Sequence, residues 1–107
     1  MLCYNYTMKT ISLIELSSPG CQICKAFEEF WKSIEADWPN VKYENISIIT
    51  PEGQALASKY MIFSSPGIII NGELFSSGGF DKEKFIAKLS ELKISAKDES
   101  ASRGKND

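Results

Sequence analysis

Two cysteines separated by two residues stand at the boundary between two patterns in this chain. Cys21-Gln22-Ile23-Cys24 follows an apolar, β-forming run over 10–16 and a Ser-Ser-Pro-Gly turn, and it opens a long helical pattern. Cysteines at this spacing are close enough to form a disulfide, and a helix N-terminus lowers the pKa of a thiol. A Cys-x-x-Cys motif between a strand and a helix therefore predicts a dithiol redox site.

The composition limits both the size of the fold and its chemistry. The 107 residues suit one domain, and a net charge of −2 argues against a nucleic-acid-binding surface. No apolar run approaches the ~18 residues of a membrane span. The absence of histidine excludes Cys–His pairs, Ser-His-Asp triads and histidine metal ligands. Three cysteines cannot complete a four-sulfur zinc site, so we expect no metal site within one chain.

The two ends of the chain differ from its centre. Residues 1–8 lack the basic start and long apolar stretch of a secretory signal, so we expect a cytoplasmic protein. Thiols are kept reduced there, which favours a catalytic or metal-binding dithiol over a structural disulfide. We interpret 1–8 as a lead-in, 9–92 as the domain and 93–107 as a polar, disordered tail. Cys3 has no motif around it and is interpreted as an incidental thiol.

Three helices are indicated by apolar spacing and capping residues. The first is predicted over 21–38, with its apolar positions on one face: Cys24, Phe27, Phe30, Trp31, Ile34 and Trp38. Thr50 followed by Pro51 predicts the start of a second helix that runs to about Tyr60. Asp81 is predicted to cap a third helix, whose apolar face is formed by four residues: Phe85, Ile86, Leu89 and Leu92.

Four strands complete the predicted fold, over 10–16, 41–49, 67–70 and 73–77. The first two must be parallel because a helix crosses between them, and the crossover should be right-handed. Asn71-Gly72 is a strong hairpin signal that joins the last two strands. The prediction is an α/β fold in the order β-α-β-α-β-β-α, with a four-stranded mixed sheet and helices on both faces.

This order, with the dithiol at the first helix and a proline directly before the third strand, resembles the thioredoxin superfamily. The closer resemblance is to its short glutaredoxin-like members, and it covers about residues 9 to 92. Four segments carry it: Cys21–Cys24, 59–66, 67–73 and 78–81. The dithiol departs from the family pattern, because Gln22 and Ile23 stand where a proline is usual and no tryptophan precedes Cys21.

The resemblance implies a thioredoxin fold and a thiol–disulfide oxidoreductase. Unpaired amides and the helix dipole favour a thiolate at Cys21, which we predict to be the nucleophile. Cys24, one turn further on the apolar face, is then the resolving thiol. The Cys21–Cys24 disulfide is the redox-active group, with no bound cofactor and reducing equivalents from glutathione or a reductase. The expected partner is a disulfide-containing protein or a small thiol, and the protein is expected to be a monomer.

The resemblance also assigns residues distant from the dithiol. Pro66 matches the family's cis-proline, and the backbone of Ser65 would pair with an extended substrate by strand addition. Glu15, six residues before Cys21, matches a buried acid that assists proton transfer to the resolving thiol. The alternative for Glu15 is a strand position whose side chain lies near an edge or solvent.

A second set of residues matches the glutathione site of glutaredoxins. Gly78, Gly79 and Asp81 stand where those proteins hold the γ-glutamyl end of glutathione, although Asp81 also fits a plain helix N-cap. Lys25 adds positive charge beside the motif, where it favours the Cys21 thiolate or is simply solvated.

Two other functions remain open on sequence grounds. In the first, the chain is a thioredoxin-fold binding module without turnover, in which two chains pool Cys21 and Cys24 to hold zinc or an iron–sulfur cluster. In the second, it is a redox-sensing subunit of a larger complex.

Overall fold

The computed structural model, which describes residues 9–93, contains the predicted seven elements in the predicted order. The strands are β1 (Ile11–Ser17), β2 (Val41–Ser47), β3 (Gly67–Ile70) and β4 (Glu73–Ser77). The helices are α1 (Gln22–Ile34), α2 (Pro51–Tyr60) and α3 (Lys82–Lys93). The predicted lead-in, 1–8, and residues 94–107 of the predicted 93–107 tail lie outside the described residues. Between residues 9 and 93, no helix has the length and hydropathy to cross a bilayer.

The strands form one sheet in the order β2-β1-β3-β4, which confirms the predicted mixed sheet. β1 pairs with β2 in parallel, whereas β1–β3 and β3–β4 are antiparallel. The β3–β4 hairpin turns at Asn71 and Gly72, whose φ angles are 52° and 79°. Two consecutive positive φ angles are typical of the type I′ turn that an Asn-Gly pair favours.

The alternation of β1 divides the core into two layers, one on each face of the sheet. Ile11 and Leu13 face α1 and α3 in a cluster rich in aromatic rings, which includes four further buried residues: Phe27, Trp31, Phe85 and Leu89. Leu16 faces the other way, in a cluster packed against residues of α2. Helices therefore cover both faces, as predicted, and Trp31 and Trp38 belong to the core.

Three predicted details differ in the structure. α1 ends at Ile34, and a separate 3₁₀ turn spans Glu35–Asp37, so the helix is shorter than the predicted 21–38. β2 ends at Ser47 because the Ser47 carbonyl accepts hydrogen bonds from the backbone amide and hydroxyl of Thr50. Ile86 is 36% exposed and does not belong to the buried face of α3, which Phe85 and Leu89 form.

The first turn of α2 packs directly against the backbone of the segment that precedes the helix. Thr50 caps the helix by accepting a 3.0 Å hydrogen bond from the Gly53 amide, as predicted. A Cβ atom at Gly53 would lie 2.0 Å from the Ser47 carbonyl oxygen and 2.8 Å from the Cα of Ile48. Both atoms belong to the backbone, so neither can move aside cheaply.

We therefore expect Gly53→Ala to destabilise the protein by about 2 kcal/mol, despite the higher helix propensity of alanine. In a domain of this size the loss corresponds to a fall in melting temperature of roughly 8–16 °C. Thermal unfolding measures it, with Gly79→Ala as the matched control because a Cβ there meets nothing within 4 Å. Equal melting temperatures for Gly53→Ala and the unaltered protein would contradict the close approach.

Candidate active site

The loop between β1 and α1 places Cys21 at the start of the helix. The Cys21 amide donates to the Ser18 carbonyl at 3.3 Å, and Gly20 has a φ of 75°. Proline followed by a glycine with positive φ is the sequence of a type II turn, which fits Pro19-Gly20. The turn redirects the chain sharply, so Cys21 becomes the N-cap of α1.

The two cysteines form a disulfide and differ in environment. Cys21 is partly exposed, whereas Cys24 is only 2% exposed, on the buried face of α1. The Cys21 sulfur accepts a 3.0 Å hydrogen bond from the Cys24 amide. An amide donor and the positive end of a helix dipole both stabilise negative charge on a sulfur. This environment suits a thiolate at Cys21 in the reduced protein.

A second loop, between α2 and β3, lies against the dithiol. The Ser65–Pro66 peptide bond is cis, as the resemblance implied. The Ser65 hydroxyl lies 3.7 Å from the Cys21 sulfur and 2.6 Å from the Ser18 hydroxyl. The antiparallel register, with Leu16 opposite Gly67, aligns the end of β1 with the start of β3 and so brings these loops together.

Glu15 is completely buried, which excludes the predicted alternative of a side chain near solvent. Its Oε1 accepts a 2.5 Å hydrogen bond from the Tyr43 hydroxyl, and its Oε2 has no hydrogen-bond partner among the described residues. Burial raises the pKa of Glu15 to about 8, the Tyr43 hydrogen bond opposes the rise, and the Glu28 carboxylate adds to it. Burial also raises the pKa of Tyr43. Glu15 can therefore take up or release a proton near neutral pH.

Glu28 links this buried carboxyl to the dithiol. It lies one helical turn after Cys24, and both line a cleft of about 310 Å³ beside the motif. The other lining residues are Ser17, Ser18, Gly20, Cys21, Gln22 and Lys25. Asn45 donates to the Glu28 carboxylate at 3.1 Å and accepts from Ser17 at 2.6 Å. The hydrogen-bonded side chains of Glu28, Asn45 and Ser17 thus lie between the buried Glu15 and the open cleft.

The remaining predicted site residues have contacts of other kinds. The Gly78 amide donates to the Pro66 carbonyl at 3.0 Å, so the Gly-Gly turn adjoins the cis-proline loop. The Gly79 carbonyl accepts from Ser76, and Asp81 caps α3 by accepting from the Lys84 amide at 3.0 Å. Asp81 is exposed, as is Lys25 at the rim of the cleft. In the described part of the chain, no group of three or more cysteine or acidic side chains could hold a metal ion.

A dithiol at the N-terminus of the first helix, beside a cis-proline loop on a mixed four-stranded sheet, defines a thioredoxin-like protein. The sequence profile of the Thioredoxin domain matches residues 12–91, and the chain belongs to that family. A search of curated proteins finds no significant match.

Solved structures of thioredoxins have the same fold as this chain. Fasciola hepatica thioredoxin is 14% identical, with a TM-score of 0.63 over 78% of this chain and 82% of that one. A mutant thioredoxin from Halobacterium salinarum is 20% identical, with a TM-score of 0.63 over 82% and 79%. A thioredoxin f2 crystallised with ferredoxin:thioredoxin reductase is 14% identical, with a TM-score of 0.62 over 78% and 77%.

Four residues of the site were not identified from the sequence: Ser18, Glu28, Tyr43 and Asn45. The sequence placed Ser18 in a turn, on the basis of the Pro-Gly pair that follows it, but gave it no role in the site. Tyr43 and Asn45 reach the site because the parallel register places Leu13 opposite Tyr43 and Glu15 opposite Asn45. That register depends on contacts between distant segments, which no local pattern encodes.

Proposed function

We propose that this protein is a thiol–disulfide oxidoreductase that acts through Cys21 and Cys24. The observation that carries the proposal is the asymmetry of the dithiol. The partly exposed Cys21 sulfur accepts an amide hydrogen bond at the start of α1, and its disulfide partner Cys24 is buried. An accessible thiolate can attack a substrate, whereas a buried thiol is reserved for the second step.

In the proposed reaction the Cys21 thiolate attacks one sulfur of a substrate disulfide. A mixed disulfide forms and the first substrate thiolate leaves. Cys24 then loses its proton and attacks the Cys21 sulfur, which breaks the bond to the substrate and releases the second thiolate. Two electrons pass to the substrate, and the protein is left with the Cys21–Cys24 disulfide.

Glu15 is the proposed acceptor of the Cys24 proton. Free cysteine has a pKa of about 8.5, so a carboxyl group with a pKa of about 8 is closely matched to it. At pH 7 only roughly a tenth of Glu15 is ionised and able to accept the proton, and this fraction rises as the pH approaches 8. Glu15 projects to the same face of β1 as Ile11 and Leu13, and that face is covered by α1. Glu28, which lines the cleft beside Cys24, gives the proton a route onward to solvent.

The substrate is proposed to bind alongside Ser65. Among the described residues, neither the amide nor the carbonyl of Ser65 has a backbone hydrogen-bond partner, so both are available to an extended segment. A disulfide-containing protein and a small thiol both fit this description.

The proposed source of electrons is either glutathione or a reductase. Gly78, Gly79 and Asp81 would contact the γ-glutamyl end of glutathione. The reductase found in complex with the thioredoxin f2 relative supports the second source. We propose a cytoplasmic monomer, as expected from the sequence.

The direct test is insulin reduction. The reduced protein, supplied with dithiothreitol, should accelerate the precipitation of insulin chains several-fold over dithiothreitol alone. Metal content and molecular mass of anaerobically purified protein complete the test. A dimer with stoichiometric zinc or iron and no insulin turnover would overturn the proposal in favour of a binding module.

A further inference from the structure

Two serine hydroxyls meet beside the Cys21 sulfur. Ser18 belongs to the loop that precedes α1, and Ser65 belongs to the cis-proline loop, 47 residues away in sequence. Their Oγ atoms are 2.6 Å apart, and Ser65 Oγ is also 3.7 Å from the sulfur. Both residues are partly buried, so water competes only in part for these hydrogen bonds.

The number of hydroxyl hydrogens determines which group is the donor in each of these hydrogen bonds. Each serine hydroxyl carries one hydrogen and can accept at its oxygen. Ser65 donates its hydrogen to the Cys21 sulfur. The hydrogen between the two hydroxyls must then come from Ser18. Ser18 thus donates to Ser65, and Ser65 donates to the sulfur.

We propose that Ser18 and Ser65 form a two-hydroxyl relay that stabilises the Cys21 thiolate. The sulfur then has two donors, the Cys24 amide from its own helix and the Ser65 hydroxyl from the opposite loop. Both contacts are made to the Cys21 sulfur of the disulfide. Hydrogen bonds to a charged acceptor are roughly twice as strong as neutral ones, so both strengthen once the disulfide is reduced and the Cys21 thiol ionises. Ser18 polarises Ser65 without touching the sulfur, and it is therefore a positioning residue.

The inference rests on the proposed function only in taking Cys21 as the reactive thiol. It adds a role for the Ser65 side chain beside the proposed pairing of the Ser65 backbone with substrate. A substrate bound along Ser65 would thus contact the same residue that stabilises the nucleophile. The charged side chains lining the cleft, Lys25 and Glu28, both come from α1 and stay unchanged in the variants below.

The test is the pKa of Cys21, measured from the pH dependence of its alkylation by iodoacetamide. A full-length Cys3→Ser, Cys24→Ser background leaves Cys21 as the one reactive thiol. Ser65→Ala should raise the pKa of Cys21 by about one unit, the size expected for a partly buried hydrogen bond to a charged group. Ser18→Ala should raise it by about half as much, because the Ser65 donor remains.

Two further variants separate hydrogen bonding from local disruption. Ser65→Thr keeps the hydroxyl and should hold the Cys21 pKa near its original value. Ser64→Ala, at the exposed neighbouring serine, is the matched control and should cause no shift. Adding Ser18→Ala to Ser65→Ala should cause no further rise, because Ser18 acts through Ser65.

An unchanged pKa in Ser65→Ala would overturn the proposal, as would equal shifts in Ser65→Ala and Ser65→Thr. An unchanged Cys21 pKa in Ser18→Ala would show that Ser18 does not act through Ser65 and would overturn the two-hydroxyl relay. Because alkylation does not require turnover, these results are separate from insulin reduction. A normal relay in a protein without reductase activity would contradict the proposed function alone.

Discussion

Cys21→Ser is expected to reduce insulin-disulfide reduction to the background rate of dithiothreitol. A serine hydroxyl is almost entirely protonated near neutral pH and cannot take the place of the thiolate that the N-cap position stabilises. The loss should be complete, because the buried Cys24 cannot reach a protein substrate directly. Cys3→Ser is the matched control and should keep full activity, since Cys3 has no part in the proposed site.

Cys24→Ser should give a different defect. Cys21 still attacks, but the resolving step is missing, so a mixed disulfide with the substrate should accumulate. Non-reducing gel electrophoresis, followed by mass spectrometry of the Cys21 peptide, would detect it, and added thiol should release the partner. Activity that survives Cys21→Ser, or adducts on Cys3 in place of Cys21, would contradict the assigned order of attack.

Glu15→Gln should stabilise the oxidised protein at neutral pH. Folding raises the pKa of Glu15 from 4.5 to about 8, so the folded state holds a proton that the unfolded chain has released. Between these two values the free energy of unfolding falls as pH rises, by about 1.4 kcal/mol per pH unit. The loss of unfolding free energy caused by ionisation of Glu15 is therefore absent below the pKa of the unfolded state and is largest above the pKa of the folded state. Glutamine keeps the shape and cannot ionise.

We expect the advantage of Glu15→Gln to grow by about 2–3 kcal/mol between pH 5 and pH 7 and to vanish near pH 4. Guanidinium denaturation of the oxidised proteins at several pH values gives the difference curve. Glu44→Gln, at an exposed glutamate on β2, is the matched control for the loss of one carboxylate. Parallel curves for Glu15→Gln and the unaltered protein would show that Glu15 ionises normally in the fold.

The same variant should slow turnover at the resolving step, because the proposed proton acceptor is lost. More stability with less activity is the expected outcome for a buried ionisable group kept for chemistry. In the unaltered protein, the hydrogen bond from Tyr43 satisfies only one of the two carboxylate oxygens of Glu15. The free-energy cost of burying the ionised Glu15 is therefore not fully offset.

The order of elements could be predicted because each one carries a local signal. The Asn71-Gly72 turn and the Thr50 cap are encoded within a few residues, and the structure contains both. Helix length was less predictable. The apolar pattern continues to Trp38, but the chain tightens into a 3₁₀ turn after Ile34, and Trp38 still reaches the core.

The site was predictable only in part, for a related reason. The dithiol is local, and the cis-proline followed from a family resemblance. The Glu15–Tyr43 and Ser18–Ser65 hydrogen bonds join residues 28 and 47 positions apart. Which partners meet depends on strand register and loop geometry, and these are decided by packing of the whole sheet.

The β3–β4 hairpin has a practical consequence. It lies at the far end of β3 from Pro66, and four strand residues at ~3.3 Å each separate the two by about 13 Å. Asn71 and Gly72 are both exposed. A fluorophore, affinity tag or surface linker attached at the exposed Glu73 would leave the two positive-φ residues of the turn unchanged and would lie at the end of β3 opposite to the cis-proline loop, so this end of the hairpin is a suitable handle for immobilising the protein on an electrode or bead.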